Sequence, residues 1–274
     1  MLQLICDKAC TLKEFTDENY AQGSFFWSYL IKNKEIKVNG KKVGGDMLLG
    51  AGDTVAYYLT PKQAGKTAFT IVYEDENVCV VDKESGVNSE AVFAALSRAG
   101  ESYFIHRLDR NTRGLMVFAK TKECEGILLE AFKERKIDKI YHAICLGRFA
   151  VRAAVLTAYL KKDENAATVK VFATPQAGAE KIVTEYTVLE EFPEFTKLEI
   201  NLHTGKTHQI RAHFSFLGNP VLGDMKYGDS AVNKKYNAAR QCLVAKKMQF
   251  HLDGKLAYLN EKTFESAHNA VVER

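Results

Sequence analysis

Asp109 sits in His106-Arg107-Leu108-Asp109-Arg110-Asn111-Thr112-Arg113-Gly114-Leu115, which holds one carboxylate, several guanidiniums and a turn glycine before running into the apolar Met116-Val117-Phe118-Ala119. Nearby cations favour the ionised form of an acid. The pattern suits Asp109 to act as a nucleophile or an electrostatic stabiliser rather than as a proton donor. On this segment alone the alternative is a surface Arg-Asp-Arg turn between strands, and such ion pairs are worth little.

A second cluster reads Leu202-His203-Thr204-Gly205-Lys206-Thr207-His208-Gln209-Ile210-Arg211-Ala212-His213, followed by Gly218-Asn219-Pro220-Val221-Leu222-Gly223-Asp224. Thr-Gly makes a turn, and the next dozen residues predict a helix with His208, Gln209 and Arg211 in its first turns. Donors at a helix N-terminus attract anions such as phosphate or carboxylate. The three histidines are five apart, so they do not share a helix face as the His pair of a metallohydrolase would. A glycosidase would need a second carboxylate beside Asp109; Asp82, Asp138 and Asp224 are nominal candidates, but no motif surrounds them.

The remaining sequence must position these groups. Ile71-Val72-Tyr73, Val78–Asp82, Leu115–Lys120, Lys139–Leu146, Ala153–Tyr159, Ala167–Phe172, Thr184–Leu189 and Thr196–Leu202 read as strands, with helices at Glu90–Arg98 and Thr121–Arg135. Consecutive strands without regular βαβ alternation predict an α+β domain around a mixed, largely antiparallel sheet flanked by helices and loops. Ahead of it lies a small α+β module: a helical stretch from Gly23 to Lys34, then short strands joined at Asn39-Gly40, where both residues tolerate positive φ. Lys37, Lys41 and Lys42 crowd this hairpin together with Lys32 and Lys34, a cationic face suited to phosphate. Pro61 to Lys66 breaks both periods. The expected division is residues 1–62, a linker at 63–69, and a domain from 70 to 274.

A net charge of +4 permits RNA without demanding it. The six cysteines are scattered through apolar runs, as reduced thiols are, which points to the cytosol. Cys6 and Cys10 have a zinc-compatible separation, yet no second half-site follows, so no metal is expected. The first residues, interrupted by Asp7, Lys8 and Lys13, lack the apolar core of a signal peptide. No segment approaches the roughly 18 apolar residues of a membrane span. A cytoplasmic protein is expected, without a membrane partner.

Val38-Asn39-Gly40 and Gly52-Asp53 resemble the hallmarks of the alpha-L RNA-binding domain. From Ile71 onward, the Asp109 loop, Lys139-x-Tyr141 and Thr204-Gly205-Lys206-Thr207-His208-Gln209-Ile210-Arg211, in that order, resemble the RluA family of RNA pseudouridine synthases. The resemblance implies a cofactor-free enzyme, expected to be monomeric, that isomerises uridine in ribosomal or transfer RNA. It implies that Asp109 is the catalytic aspartate, that Tyr141 lies against the target base, and that Arg211 pairs with the aspartate. Arg107 then meets the flipped nucleotide, with Arg110, Lys206, His208 and Gln209 as further RNA contacts. Departures from the family pattern are Lys83-Glu84-Ser85-Gly86 for Lys-Pro-x-Gly, Thr112-Arg113-Gly114 for Thr-Ser-Gly, and Lys206 for an arginine; Arg240 to Ala245 also lacks a histidine often found there. These bear on substrate choice. A catalytically inactive RNA-binding protein of the same fold is the alternative, and the joint presence of Asp109, Tyr141 and Arg211 counts against it.

Overall fold

The computed structural model describes residues 1–163 and 167–271. The chain forms two compact units, Met1–Arg110 with Met116–Lys122, and Asn111–Leu115 with Glu123–Arg274.

The first unit opens with β1 (Leu2–Ile5), β2 (Cys10–Thr11), α1 (Leu12–Asn19), α2 (Ala21–Phe25), α3 (Trp27–Lys32), β3 (Ile36–Val38), β4 (Lys41–Val43), β5 (Leu48–Leu49) and β6 (Thr54–Tyr57). β1, β6, β3 and β4 make an antiparallel sheet in that order, and β2 pairs with β5. Leu12 and Phe15 of α1 and Leu30 of α3 pack with Ile36, Val55 and Tyr57 beneath them. The Asn39-Gly40 turn has φ of 49° and 78°, as its sequence predicts. Its side chain does further work: Asn39 Nδ2 donates to Asp53 Oδ1 (2.8 Å) and its Oδ1 accepts from Thr54 N (2.9 Å), while Gly50 N donates to Asp53 Oδ2 (2.7 Å). Asn-Gly and Gly-Asp thus lock two loops together.

The expected single helix from Gly23 to Lys34 is two short ones, and α1 before them was not expected. Its start is written in Thr11-x-x-Glu14, a reciprocal capping box in which Thr11 accepts from Glu14 N and Glu14 accepts from Thr11 N. The 61–66 stretch is also partly helical: α4 (Pro61–Ala64) has Pro at its first turn and a second capping box between Thr60 and Gln63. No unit boundary falls there. The unit continues through β7 (Phe69–Glu74), β8 (Val78–Lys83), α5 (Ser89–Ala99), β9 (Tyr103–Phe104) and the end of β10 (Arg113–Ala119). α1 packs on α5, and the Arg98 guanidinium donates to Asn19 O (3.1 Å).

The second unit holds α6 (Lys122–Glu134, its first residue apart), β11 (Ile137–Leu146), β12 (Ala153–Asp163), β13 (Thr168–Phe172), β14 (Glu180–Glu191), β15 (Phe195–Leu202), α7 (Gln209–Phe216), α8 (Ser230–Lys235), β16 (Leu243–Phe250) and β17 (Thr263–Glu265). Its strands run β13-β12-β14-β15-β11-β16, all antiparallel, with β17 on β16. Arg113 and Gly114, opening β10, run parallel to Val244 and Ala245, which makes the sheet mixed. Gly114 (φ 115°) is obligatory, since a Cβ there would lie 2.3 Å from Ala245 O. Tyr141, Ala143 and Cys145 of β11 face Leu198 and Ile200 of β15 and Ile210 and Phe214 of α7, the centre of this core.

Candidate active site

Asp109 lies half-buried in a loop between β9 and β10, and the loop is pinned on both sides of it. On one side, Ser89 at the start of α5 donates its hydroxyl to Leu108 O (2.9 Å) and accepts from Leu108 N (3.0 Å). On the other, Arg110 O accepts from Gly86 N (2.8 Å) and Lys83 Nζ (3.2 Å). A few residues on, His106 Nε2 accepts from Val117 N (3.1 Å), tying the loop to the strand it feeds. These anchors act through the backbone on both sides of Asp109 and fix its place in the loop.

Lys83 ends β8 and is completely buried, its ammonium surrounded by the carbonyls of Glu84 (3.0 Å), Val87 (2.8 Å) and Arg110. Burial pushes its pKa down to about 7, and the negative charge of Asp109 is the largest influence opposing that fall. In the sequence Lys83 is marked by closing an apolar strand and by opening the Lys83-Glu84-Ser85-Gly86 turn, but neither discloses its buried carbonyl partners. Arg107 and Arg110, expected to flank and charge Asp109, turn to other carboxylates: Arg107 Nη1 to Glu90 (3.2 Å), with its side chain 69% exposed, and Arg110 Nη1 to Asp17 Oδ2 on α1 (2.6 Å). Asp17 is held below the usual carboxylate range; its burial acts upward but is outweighed by Lys13, Ser24 and Arg110.

In the second unit Tyr141 lies on central strand β11, partly buried against the core that Ile210 helps build. A β-bulge falls beside it: Ile140 pairs with Lys247 and Tyr141 with Ala245, leaving Lys246 as the extra residue on β16. Lys246 is buried and donates to Ser266 O (2.6 Å) and His268 O (3.1 Å).

Arg211, on the first turn of α7, forms a bidentate pair with Asp224, Nε to Oδ2 at 2.6 Å and Nη2 to Oδ1 at 2.9 Å, both side chains buried. Asp224 also accepts from Lys226 N (2.8 Å) and Tyr227 N (3.1 Å). Burial alone would raise its pKa, but the Arg211 hydrogen bonds and charge, with the two amides, hold it below the ordinary range. The Tyr227 ring stacks 5.2 Å from the guanidinium carbon. Gly223 (φ 77°) lets the Asp224 turn close, because a Cβ there would lie 1.9 Å from Arg240 O. The stray acid of the sequence is thus the clamp that aims an arginine.

The Thr204 to His208 loop is built around Gln209. Its Oε1 accepts from Lys206 N (3.1 Å) and Thr204 Oγ1 (2.9 Å), and its Nε2 donates to Val183 O (3.2 Å) and Thr184 Oγ1 (3.1 Å). At 2% exposure with all these bonds made, Gln209 is occupied in shaping the loop rather than offered to RNA. His208 takes a left-handed conformation (φ 54°), and its Nδ1 hydrogen-bonds Tyr227 Oη (2.8 Å). Lys206 pairs with Glu180. His213 is buried beside Thr184 and is pushed down to about 4 by that burial. Asp138 pairs with His251 (2.7 Å).

Sheet, loop and tyrosine strand define the pseudouridine synthase fold. Human RNA pseudouridylate synthase domain containing 1 shares it, with a TM-score of 0.59 and 25% identity over 72% of this chain and 81% of that one. A family model described as RNA pseudouridylate synthase matches residues 77–216, the span that contains Asp109, Tyr141 and Arg211. The ribosomal large subunit pseudouridine synthase D of Vibrio cholerae is 32% identical over 232 residues, 74% of this chain and 68% of its own. The corresponding synthase C of the same organism is 28% identical over 250 residues, 81% and 78% of the two chains. The chain belongs to the RNA pseudouridylate synthase family, enzymes that isomerise uridine in RNA to pseudouridine.

Proposed function

We propose that Asp109 is the catalytic carboxylate of this isomerase and that its RNA is that of the large ribosomal subunit. The double pinning of the loop through Leu108 and Arg110 carries the first part: it fixes the chain on both sides of the carboxylate, and a carboxylate in a fixed place is what attack on a sugar or base, or stabilisation of a sugar cation, requires. The relatives' ribosomal targets support the second. In the reaction the bond from the sugar to uracil N1 breaks, the base turns, the sugar rejoins through C5, and the C5 proton leaves. Tyr141 orients the base, and Asp224 holds Arg211 as a fixed positive charge. Arg107, exposed and paired among the described residues with Glu90, faces RNA along with Arg110, Lys206 and His208. Extruding the base from its stack costs a few kcal/mol, which these contacts offset.

The alpha-L type segment, residues 1–62, adds the second RNA surface. Lys37 and Lys42 stand directly opposite each other across β3 and β4. Like charges so placed repel, and among the described residues neither they nor Lys41 form an ion pair with a carboxylate. A phosphate backbone relieves that repulsion. Every described cysteine is unbridged, and no helix among the described residues is long and apolar enough to cross a membrane.

Pseudouridine mapping across total RNA from cells with the gene deleted, then restored as wild type or Asp109→Ala, tests the reading. We expect at least one large-subunit position to vanish on deletion and return with the wild type alone. Product formed by Asp109→Ala refutes the catalytic assignment; a lost position confined to transfer RNA refutes the ribosomal one.

A further inference from the structure

Buried ammonium groups in this protein are saturated. Lys83 has three carbonyl acceptors, and Lys246 has two together with Glu265 at 3.2 Å. Lys139 breaks that rule. It lies half-buried on β11, two residues before Tyr141, so the two side chains leave the strand on the same side, about 7 Å apart along it. Its Nζ sits 5.2 Å from the Phe132 ring centroid and 3.7 Å from where a Cβ on Gly205 would be, at the loop that leads into α7. Among the described residues its side chain has no hydrogen bond and no carboxylate partner; the adjacent Asp138 is taken by His251. The aromatic face offsets only part of the cost of dehydrating an ammonium. Burial, and then the charge of Arg135, lowers the pKa of this lysine, with Asp138 opposing.

We propose that Lys139 is an anchor for an RNA phosphodiester, seating a backbone phosphate next to the uridine whose base lies on Tyr141. Lysine suits the task as a compact point charge that needs no bidentate geometry. The strand spacing sets base and phosphate side by side: Tyr141 takes the ring and the longer lysine stem reaches past it to the backbone. Gly205, bare of a side chain, leaves the approach over the ammonium open. Lys139 is therefore a positioning residue for substrate and does not touch the bonds that break. The inference rests on the proposed assignment of Tyr141 to the target base.

The test is salt-dependent binding of an unmodified transcript of a large-subunit ribosomal RNA domain to the full-length wild type, Lys139→Gln, Lys139→Met and Lys139→Arg, with turnover measured in parallel. Lys139→Met keeps an apolar stem against Phe132 and guards against a folding artefact in the glutamine variant. Removing one phosphate contact lowers the slope of log affinity against log salt by about 0.7 for single-stranded RNA. We expect that loss in both neutral variants, with roughly three- to tenfold weaker binding and KM raised to match, kcat within about twofold, and recovery of the slope by Lys139→Arg. A wild-type slope in both neutral variants overturns the phosphate anchor, even if kcat falls. Binding is read without turnover, so failure of the wild type to make pseudouridine would count against the proposed function and leave the slopes to decide Lys139.

Discussion

The Asp109 loop and the Arg211 turn immobilise a charged group in opposite ways. The loop is fastened through the backbone of Leu108 and Arg110 by Ser89, Gly86 and Lys83. The turn is fastened through the functional side chain itself, two guanidinium nitrogens locked on Asp224. The first fixes the chain around the charged residue; the second fixes the charged side chain.

Substitution should expose this difference. Asp109→Asn leaves the Leu108 and Arg110 anchors in place and is expected to abolish product formation, a loss of more than about a thousandfold; product formed at the wild-type rate would remove Asp109 from the chemistry. Asp224→Ala strands a buried guanidinium and should cost about 3–5 kcal/mol, with activity falling alongside. An Asp224→Ala protein as stable as wild type would erase the contrast. Lys83→Met probes the loop's hidden anchor through pH. With the folded-state value near 7 and the unfolded value near 10.5, the unfolded chain holds a proton in that window which the folded chain has released. Wild-type stability relative to the variant should therefore rise with pH between these limits, by at most about 1.4 kcal/mol per unit, and parallel stability curves from pH 7.5 to 9.5 would contradict a depressed lysine. Ser89→Ala, the mildest, leaves both polar groups of Leu108 without their partner and should cost about 1–3 kcal/mol, with a lower kcat that Ser89→Thr partly restores.

What the sequence disclosed followed the range of the physics involved. The Asn39-Gly40 turn was legible because positive φ is a local property, and the apolar runs of β8, β10 and β11 because burial imposes its own pattern. Asp109 stood out through its neighbours, though the arginines that drew attention to it serve Asp17 and Glu90 instead. Helix α1 was marked by a capping box that went unread. β16 was missed because Lys246 and Lys247 interrupt its apolar run, and only the fold shows a bulge that turns Lys246 inward. Lys83, Asp224 and Gln209 were illegible in their roles, since each is satisfied by groups brought from elsewhere in the chain.

The ion pair of Arg110 with Asp17 bears on inheritance. The residue next to Asp109 is tied to helix α1, and α1 lies ahead of the 77–216 span that the family model matches. A lineage that shed or exchanged that segment would leave Arg110 without its Asp17 counter-ion. Positions 17 and 110 are therefore coupled across 93 residues of sequence, and a substitution at either one is also a change for the other.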